Sequence, residues 1–383
     1  MASYFDYAAA TPLDERVLAA MQPFFAQDFY NPSALYGAAR QTHKELDAAR
    51  ASVAAVLGAR PSEVVFTAGG TESDNLAISG IMQQYPQANV VTSSIEHDAV
   101  LEAAAPYDHR LVPVASDGLV NSDELDTVID DNTVLVSIMY ANNEIGTVQP
   151  LSKIAKKLQF LREQRRLAGN KLPLYFHTDA CQAAEYLDLH ISRLGVDLLT
   201  LNGGKIYGPK QSGILYVRGG VVLAPLVRGG GQERGVRSGT ENVAACVGFA
   251  KALEIAQAGR HDEARRLQTL QKHFMDGIAE KLPAAIIRGH RKQRLPNNVH
   301  LTIPGADNER LLIQLDEAGV QAAAGSACSA SSDTPSHVLR ALGLTDEEAR
   351  ASLRFSMGRG TTVEQVDQAL ELLTAFTAPA AQS

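Results

Sequence analysis

Cysteine is scarce in this chain: there are only 3, Cys181, Cys246 and Cys328, in 383 residues. Their number is odd and no C-x-x-C pair occurs, so neither a disulfide framework nor a zinc knuckle fits, and a reducing cytoplasm is the expected compartment. Positive charge is in short supply too. The 35 lysines and arginines face 43 aspartates and glutamates, a formal charge of −8. That balance repels polyphosphate backbones and argues against direct nucleic-acid binding. Long hydrophobic runs are missing: the uncharged stretch 75–95 contains Gln83, Gln84, Pro86, Gln87 and Asn89, too polar for a bilayer span. Asp6 is present and Arg16 is the first basic residue, so the N-terminus reads neither as a signal peptide nor as a transit peptide. Internal repeats and low-complexity tracts are absent as well.

What is there is ordinary globular composition, 45% apolar and 20% charged, in a chain long enough for about two or three domains and a large core. Apolar runs of strand length alternate with helical periodicity through the first 220 residues. Candidate strands are 63–67, 89–94, 133–139, 174–179, 196–201 and 213–217; helical patterns include 72–84 and 151–167. This rhythm implies βαβ units and a mostly parallel sheet covered on both faces, with ligands beyond the C-terminal strand ends. Between 242 and 282 the pattern is almost continuously helical. Gly259 is expected to interrupt it, giving a domain hinge. Beyond it, strands 297–303 and 352–356 and helices 309–317, 336–342 and 363–376 suggest a smaller α+β module. The division is a large domain, 16–258, and a small one, 1–15 with 259–383.

Four segments carry candidate chemistry. Leu201-Asn202-Gly203-Gly204-Lys205-Ile206-Tyr207-Gly208-Pro209-Lys210 follows an apolar strand. Pro209 stands where a P-loop lysine belongs, which sets that reading aside. Lys205, flanked by glycines that let a ligand approach the backbone, suits Schiff-base chemistry with an aldehyde cofactor, or is a surface lysine in a turn. Strand 174–179 ends in Asp179. An acid there needs a cation, which the ring nitrogen of pyridoxal phosphate supplies; otherwise it caps a helix. Gly69-Gly70-Thr71 opens a helix whose free N–H groups favour a phosphate, although Thr71 with Asp74 also forms a capping pattern without any ligand. Finally, segment 322–333 is nearly all small residues and bears Cys328, the candidate nucleophile. Cys246 is expected in the core, and Cys181 against the sheet.

Together with Phe5-Asp6-Tyr7-Ala8-Ala9-Ala10-Thr11-Pro12, Glu96-His97, Asn142-Asn143-Glu144-Ile145-Gly146, Arg237-Ser238-Gly239-Thr240, Gly325-Ser326-Ala327-Cys328 and Arg354-Phe355-Ser356, these segments make the chain resemble, almost end to end, the pyridoxal-phosphate cysteine desulfurases of the NifS/IscS type, within the class V aminotransferases. The resemblance implies an α/β fold, the type I pyridoxal-phosphate transferase architecture, with a mostly parallel seven-stranded sheet in the large domain plus a smaller α+β domain. It implies a homodimer with active sites at the subunit interface. Lys205, Cys328 and His97 are then catalytic. Gly70, Thr71, His97, Asn143, Asp179, Gln182, Asn202, Lys205 and Thr240 hold the cofactor, Thr240 reaching across from the partner subunit. Asn143 and Arg354 bind substrate, the arginine fork clamping its α-carboxylate. The implied reaction converts L-cysteine to L-alanine, leaves a persulfide on Cys328, and passes sulfur to an iron–sulfur scaffold or a transfer-RNA thiolation enzyme. Selenocysteine lysis, another β-elimination, or a noncatalytic scaffold are the alternatives. Three departures from the family pattern stand out: Gly204 replaces the usual histidine before the lysine, Tyr36 follows Asn31-Pro32-Ser33, and Cys181-Gln182-Ala183 replaces a hydroxyl-bearing run.

Overall fold

In a computed structural model, the structure describes residues 2–325 and 335–377. Twelve strands occur among them in chain order: β1 (Ser3–Tyr4), β2 (Val64–Thr67), β3 (Asn89–Ser93), β4 (Asp108–Val112), β5 (Thr133–Ser137), β6 (Tyr175–Asp179), β7 (Leu198–Asn202), β8 (Gly213–Val217), β9 (Ile286–Ile287), β10 (Asn298–Thr302), β11 (Val320–Gln321) and β12 (Ser352–Ser356). Seven build the main sheet in the order β2-β8-β7-β6-β5-β3-β4. The pairs from β7 through β4 are parallel, and β8 alone runs against its neighbours β2 and β7. The expected mostly parallel sheet is therefore present.

Successive side chains of these strands enter opposite cores. Val90, Leu198 and Leu215 pack on one face, and Val91, Leu199 and Ile214 on the other. Period-two projection from strands that are apolar throughout is what a sheet covered on both faces requires. β4 had no candidate in the sequence reading. It is an edge strand of sequence Asp-His-Arg-Leu-Val with two residues exposed and two half-buried, so it lacks the apolar run that marks a central strand.

A second core joins Phe5, Phe274, Val299, Leu301, Phe355 and Leu370. Here β12, β10 and β9 form an antiparallel sheet, while β1 pairs parallel with β11, bringing the N-terminus to the C-terminal module. The expected break at Gly259 is not found. One helix of 39 residues, Val243–Lys281, runs straight through it. A Cβ at Gly259 would meet nothing within 4 Å, so packing does not demand glycine there. Its helical penalty, about 1 kcal/mol, is outweighed because Phe249 and Leu253 anchor the first half in one core and Leu267 and Phe274 anchor the second half in the other.

Candidate active site

The C-terminal ends of β2, β3, β5, β6 and β7 all open on one side of the sheet, and there the chain leaves a cavity of about 250 Å³. Nine of the eleven expected site residues line it: Gly70, Thr71, His97, Asn143, Asp179, Gln182, Asn202, Lys205 and Arg354. Cys328 lies outside the described residues. Thr240 does not line this cavity. It is exposed and borders a separate one of about 230 Å³ beside Arg237 and Cys246.

Lys205 ends a single 3₁₀ turn, Gly203–Lys205, directly after β7. Its Nζ donates to the carbonyls of Ala8 at 2.9 Å and Ala9 at 2.7 Å, so the N-terminal segment aims the amine. Burial lowers its pKa, and the nearby Arg354 cation lowers it further. Two of the flanking glycines, Gly203 and Gly208, serve the chain's own packing. A Cβ on Gly203 would strike Ser212 Oγ at 2.2 Å, and one on Gly208 would lie 2.9 Å from the Gly203 carbonyl; both let the chain fold tightly on itself.

Asp179 closes β6 and accepts from the Cys181 N–H at 2.8 Å, leaving its other oxygen unassigned to the turn. Cys181 itself lines the cavity instead of only packing on the sheet. Its Sγ would lie 2.9 Å from a Cβ on Gly70, so glycine at 70 is what keeps this corner open. Gly70 begins a 13-residue helix, Gly70–Met82, whose N-cap Gly69 (φ 143°) offers no side-chain cap. The capping pattern expected from Thr71 and Asp74 is not formed: Glu72 receives the Ala68 N–H at 3.0 Å, and Asp74 is buried. Asn202 Oδ1 accepts from Gly204 N–H at 2.9 Å, which turns the Asn202 amide toward Gly70. An uncapped helix N-terminus with an amide beside it is a phosphate cradle in its chemistry.

His97 caps helix Asp98–Ala104 by accepting the Ala99 N–H on Nδ1 at 3.0 Å. The neutral ring therefore carries its proton on Nε2. Gln182 donates to the Ala8 carbonyl at 2.9 Å. Arg354, on β12, is 1% exposed and donates to Asp6 at 2.6 Å and to the Asn143 carbonyl at 3.0 Å; its buried Nε has no partner. Asp6, the Ala8 and Ala9 carbonyls, Cys181 and Asp74 were not among the expected site residues. The Phe5–Pro12 match was a signal that could have found the first three.

Pyridoxal phosphate fits this donor set: an acid for a ring nitrogen, an amine for an aldehyde, an uncapped helix start for a phosphate, and a corner that a Cβ at Gly70 would fill. The comparisons agree. The model of the aminotransferase class-V family matches residues 3–369. This chain belongs to that family. The cysteine desulfurase IscS of Methanosarcina thermophila is 42% identical over 379 residues, 97% of this chain and 91% of that protein. That of Dictyoglomus turgidum is 40% identical over 377 residues, 97% and 93% of the two chains. Among solved structures, a NifS-like protein superposes with a TM-score of 0.89 at 33% identity, covering 98% of this chain and 99% of the other. SspA in complex with cysteine gives 0.79 at 35%, covering 92% and 98%. Among the described residues no helix is long and apolar enough to cross a membrane, and no cluster of metal-ligating side chains occurs.

Proposed function

We propose that this protein is a pyridoxal-phosphate-dependent cysteine desulfurase, converting L-cysteine and the Cys328 thiol into L-alanine and a Cys328 persulfide. The observation that carries the reading is one cavity holding Lys205, Asp179, His97 and Arg354 in a chain about 40% identical to cysteine desulfurases over nearly its whole length. When bound, pyridoxal phosphate supplies an aldehyde that condenses with amines and a cationic ring that withdraws electrons from the substrate Cα.

The chain's residues divide the remaining work. Asp179 would keep the ring nitrogen cationic, and Gly70, Thr71 and Asn202 would hold the phosphate. Arg354 would take the substrate α-carboxylate; its Nε is the guanidinium donor left without a partner, while its other two nitrogens hold Asp6 and the Asn143 carbonyl. Asn143 and Gln182 orient the substrate and the ring oxygen. Lys205, whose amine burial makes easier to deprotonate, removes the proton from Cα. His97, which lines the cavity with Nδ1 tied to the Ala99 N–H, would have Nε2 left to hand a proton to the reacting group. Burial pushes the thiols of Cys181 and Cys246 well up, so neither supplies thiolate at neutral pH; Cys328 is the remaining cysteine and the assigned nucleophile.

A homodimer belongs to the same proposal. Thr240, exposed and away from its own chain's cavity, suits a phosphate contact delivered to the partner. The division into 16–258 and 1–15 with 259–383 follows the exchange of cores along the long helix. Sulfur then passes, in the cytoplasm, to an iron–sulfur scaffold or a transfer-RNA thiolation enzyme.

Incubating the purified holoenzyme with sulfur-labelled cysteine tests the reading. Label on Cys328 and equimolar alanine are expected, with Cys328→Ala retaining the cofactor absorbance but giving neither. Alanine formation at the normal rate in that variant would remove the persulfide route.

A further inference from the structure

The cofactor cavity contains a second carboxyl group with no duty in the scheme above. Asp74 sits one turn into helix Gly70–Met82, is 1% exposed, and its Oδ1 has no hydrogen-bond partner. It lines the cavity together with Asp179. Among the described residues no lysine or arginine pairs with it. Its basic neighbour is His177 on β6, whose Nε2 lies 3.6 Å from Oδ1.

That histidine is no counter-ion. It is fully buried, with Nδ1 2.8 Å from Ser137 Oγ and Nε2 3.0 Å from Thr200 Oγ1, and burial lowers its pKa to about 4. A neutral imidazole between two hydroxyls has one N–H and one lone pair, both used. Thr200 also reaches Asp74. The groups facing Asp74 are thus Asp179 and His177 from β6, the neutral thiol of Cys181 just after it, Thr200 from β7, and Glu96 from the segment after β3, with two carboxyls among them. Burial first and Asp179 second push the Asp74 carboxyl well above the ordinary carboxylate range. With burial and the neighbouring Asp179 both favouring its neutral form, and no cation paired with it, Asp74 is held as an acid beside the carboxylate that serves the ring nitrogen.

We infer that Asp74 is a positioning residue for the cofactor ring: a protonated acid at the end of the Ser137–His177–Thr200 chain that leaves Asp179 as the single anion at the ring nitrogen and stands in for that anion when Asp179 is neutralised. The inference rests on the proposed pyridoxal-phosphate chemistry for its consequence, and on Asp74's surroundings alone for its protonation.

The two parts are read separately. Carbon-13 labelling of aspartate carboxyls in the wild-type holoenzyme should show one carboxyl still protonated at about pH 7, whereas an ordinary Asp titrates near 3.9. That resonance should vanish in Asp74→Asn. If every aspartate carboxyl is ionised at that pH, the inference fails, whatever the cofactor does. The second reading is cofactor affinity in a double-mutant cycle. Asp74→Asn should weaken it less than about threefold in the native background but about tenfold or more in the Asp179→Asn background, because only there has Asp74 become the anion. Additive effects would overturn the stand-in role. Failure of the wild-type protein to bind pyridoxal phosphate at all would instead sink the functional reading while leaving the carboxyl resonance to decide the protonation of Asp74.

Discussion

Two cavities of similar volume, about 250 and 230 Å³, flank the Ala68–Gly70 corner of the sheet, yet their charges are arranged in opposite ways. Around the second, Arg50 grips Glu233 at 2.6 and 2.7 Å, Glu233 also accepts the Phe66 N–H, and Arg237 pairs with Glu72 at 2.9 Å. Those ions satisfy one another, and the one orphan at this cavity's lining among the described residues is Glu241 Oε2. Around the first, Asp74 has an oxygen with no partner, Arg354 has a buried Nε with none, and Lys205 is held by carbonyls alone. Buried charge without a partner is expensive, and a fold keeps it where a ligand is to complete it. The lesson is that volume does not tell two cavities apart; the first is distinguished by a carboxyl and a guanidinium with unpartnered atoms converging beside an amine held only by carbonyls.

Substitutions can break this contrast from either side. Lys205→Ala should have the largest effect, lowering alanine formation by about a thousandfold and abolishing borohydride fixation of the cofactor, with little change in the urea midpoint. Normal turnover would remove Lys205 from the chemistry. Glu233→Gln should do the reverse. Uncoupling the buried Arg50 pair should cost about 3 kcal/mol of stability by urea unfolding while cofactor absorbance stays as it was; an unmoved midpoint would make the second cavity's ion pair ornamental. Arg354→Lys keeps the charge but loses the fork, so KM for cysteine should rise about tenfold or more with the cofactor spectrum intact. An unaltered KM would make Arg354 a structural partner of Asp6.

The smallest effect concerns pH. Burial raises the pKa of Glu96 from an ordinary 4.5 to about 8. The folded protein therefore holds this proton where the unfolded chain has already released it, and stability should fall as pH rises from about 4.5 to about 8. Glu96→Gln should flatten the decline over that window. A variant that declines as steeply as wild type would assign the slope to other groups.

Sequence patterns located the central strands well because each is a short run apolar on both faces, and they missed β4 because an edge strand does not need to be. They placed Lys205, Asp179 and the Gly70 turn at strand ends, where this kind of sheet gathers ligands. They could not foresee that Gly203 and Gly208 serve the chain's own tight fold. Nor could they tell that the helix would pass Gly259 unbroken, since two cores overrule one weak local preference.

By itself, then, the sequence determined the order of strands and helices, the family, and which residue types stand at the ends of the strands, because each of those is written in a window of a few neighbouring residues. Tertiary structure alone decided the partnerships. Asp6 meets Arg354 across 348 positions, Ala8 and Ala9 steady Lys205 from nearly 200 away, and Asp74, which in the linear pattern reads as a helix cap, is carried into the cofactor cavity. Such pairings are set by chain closure around a shared core, and no local window contains both members of the pair.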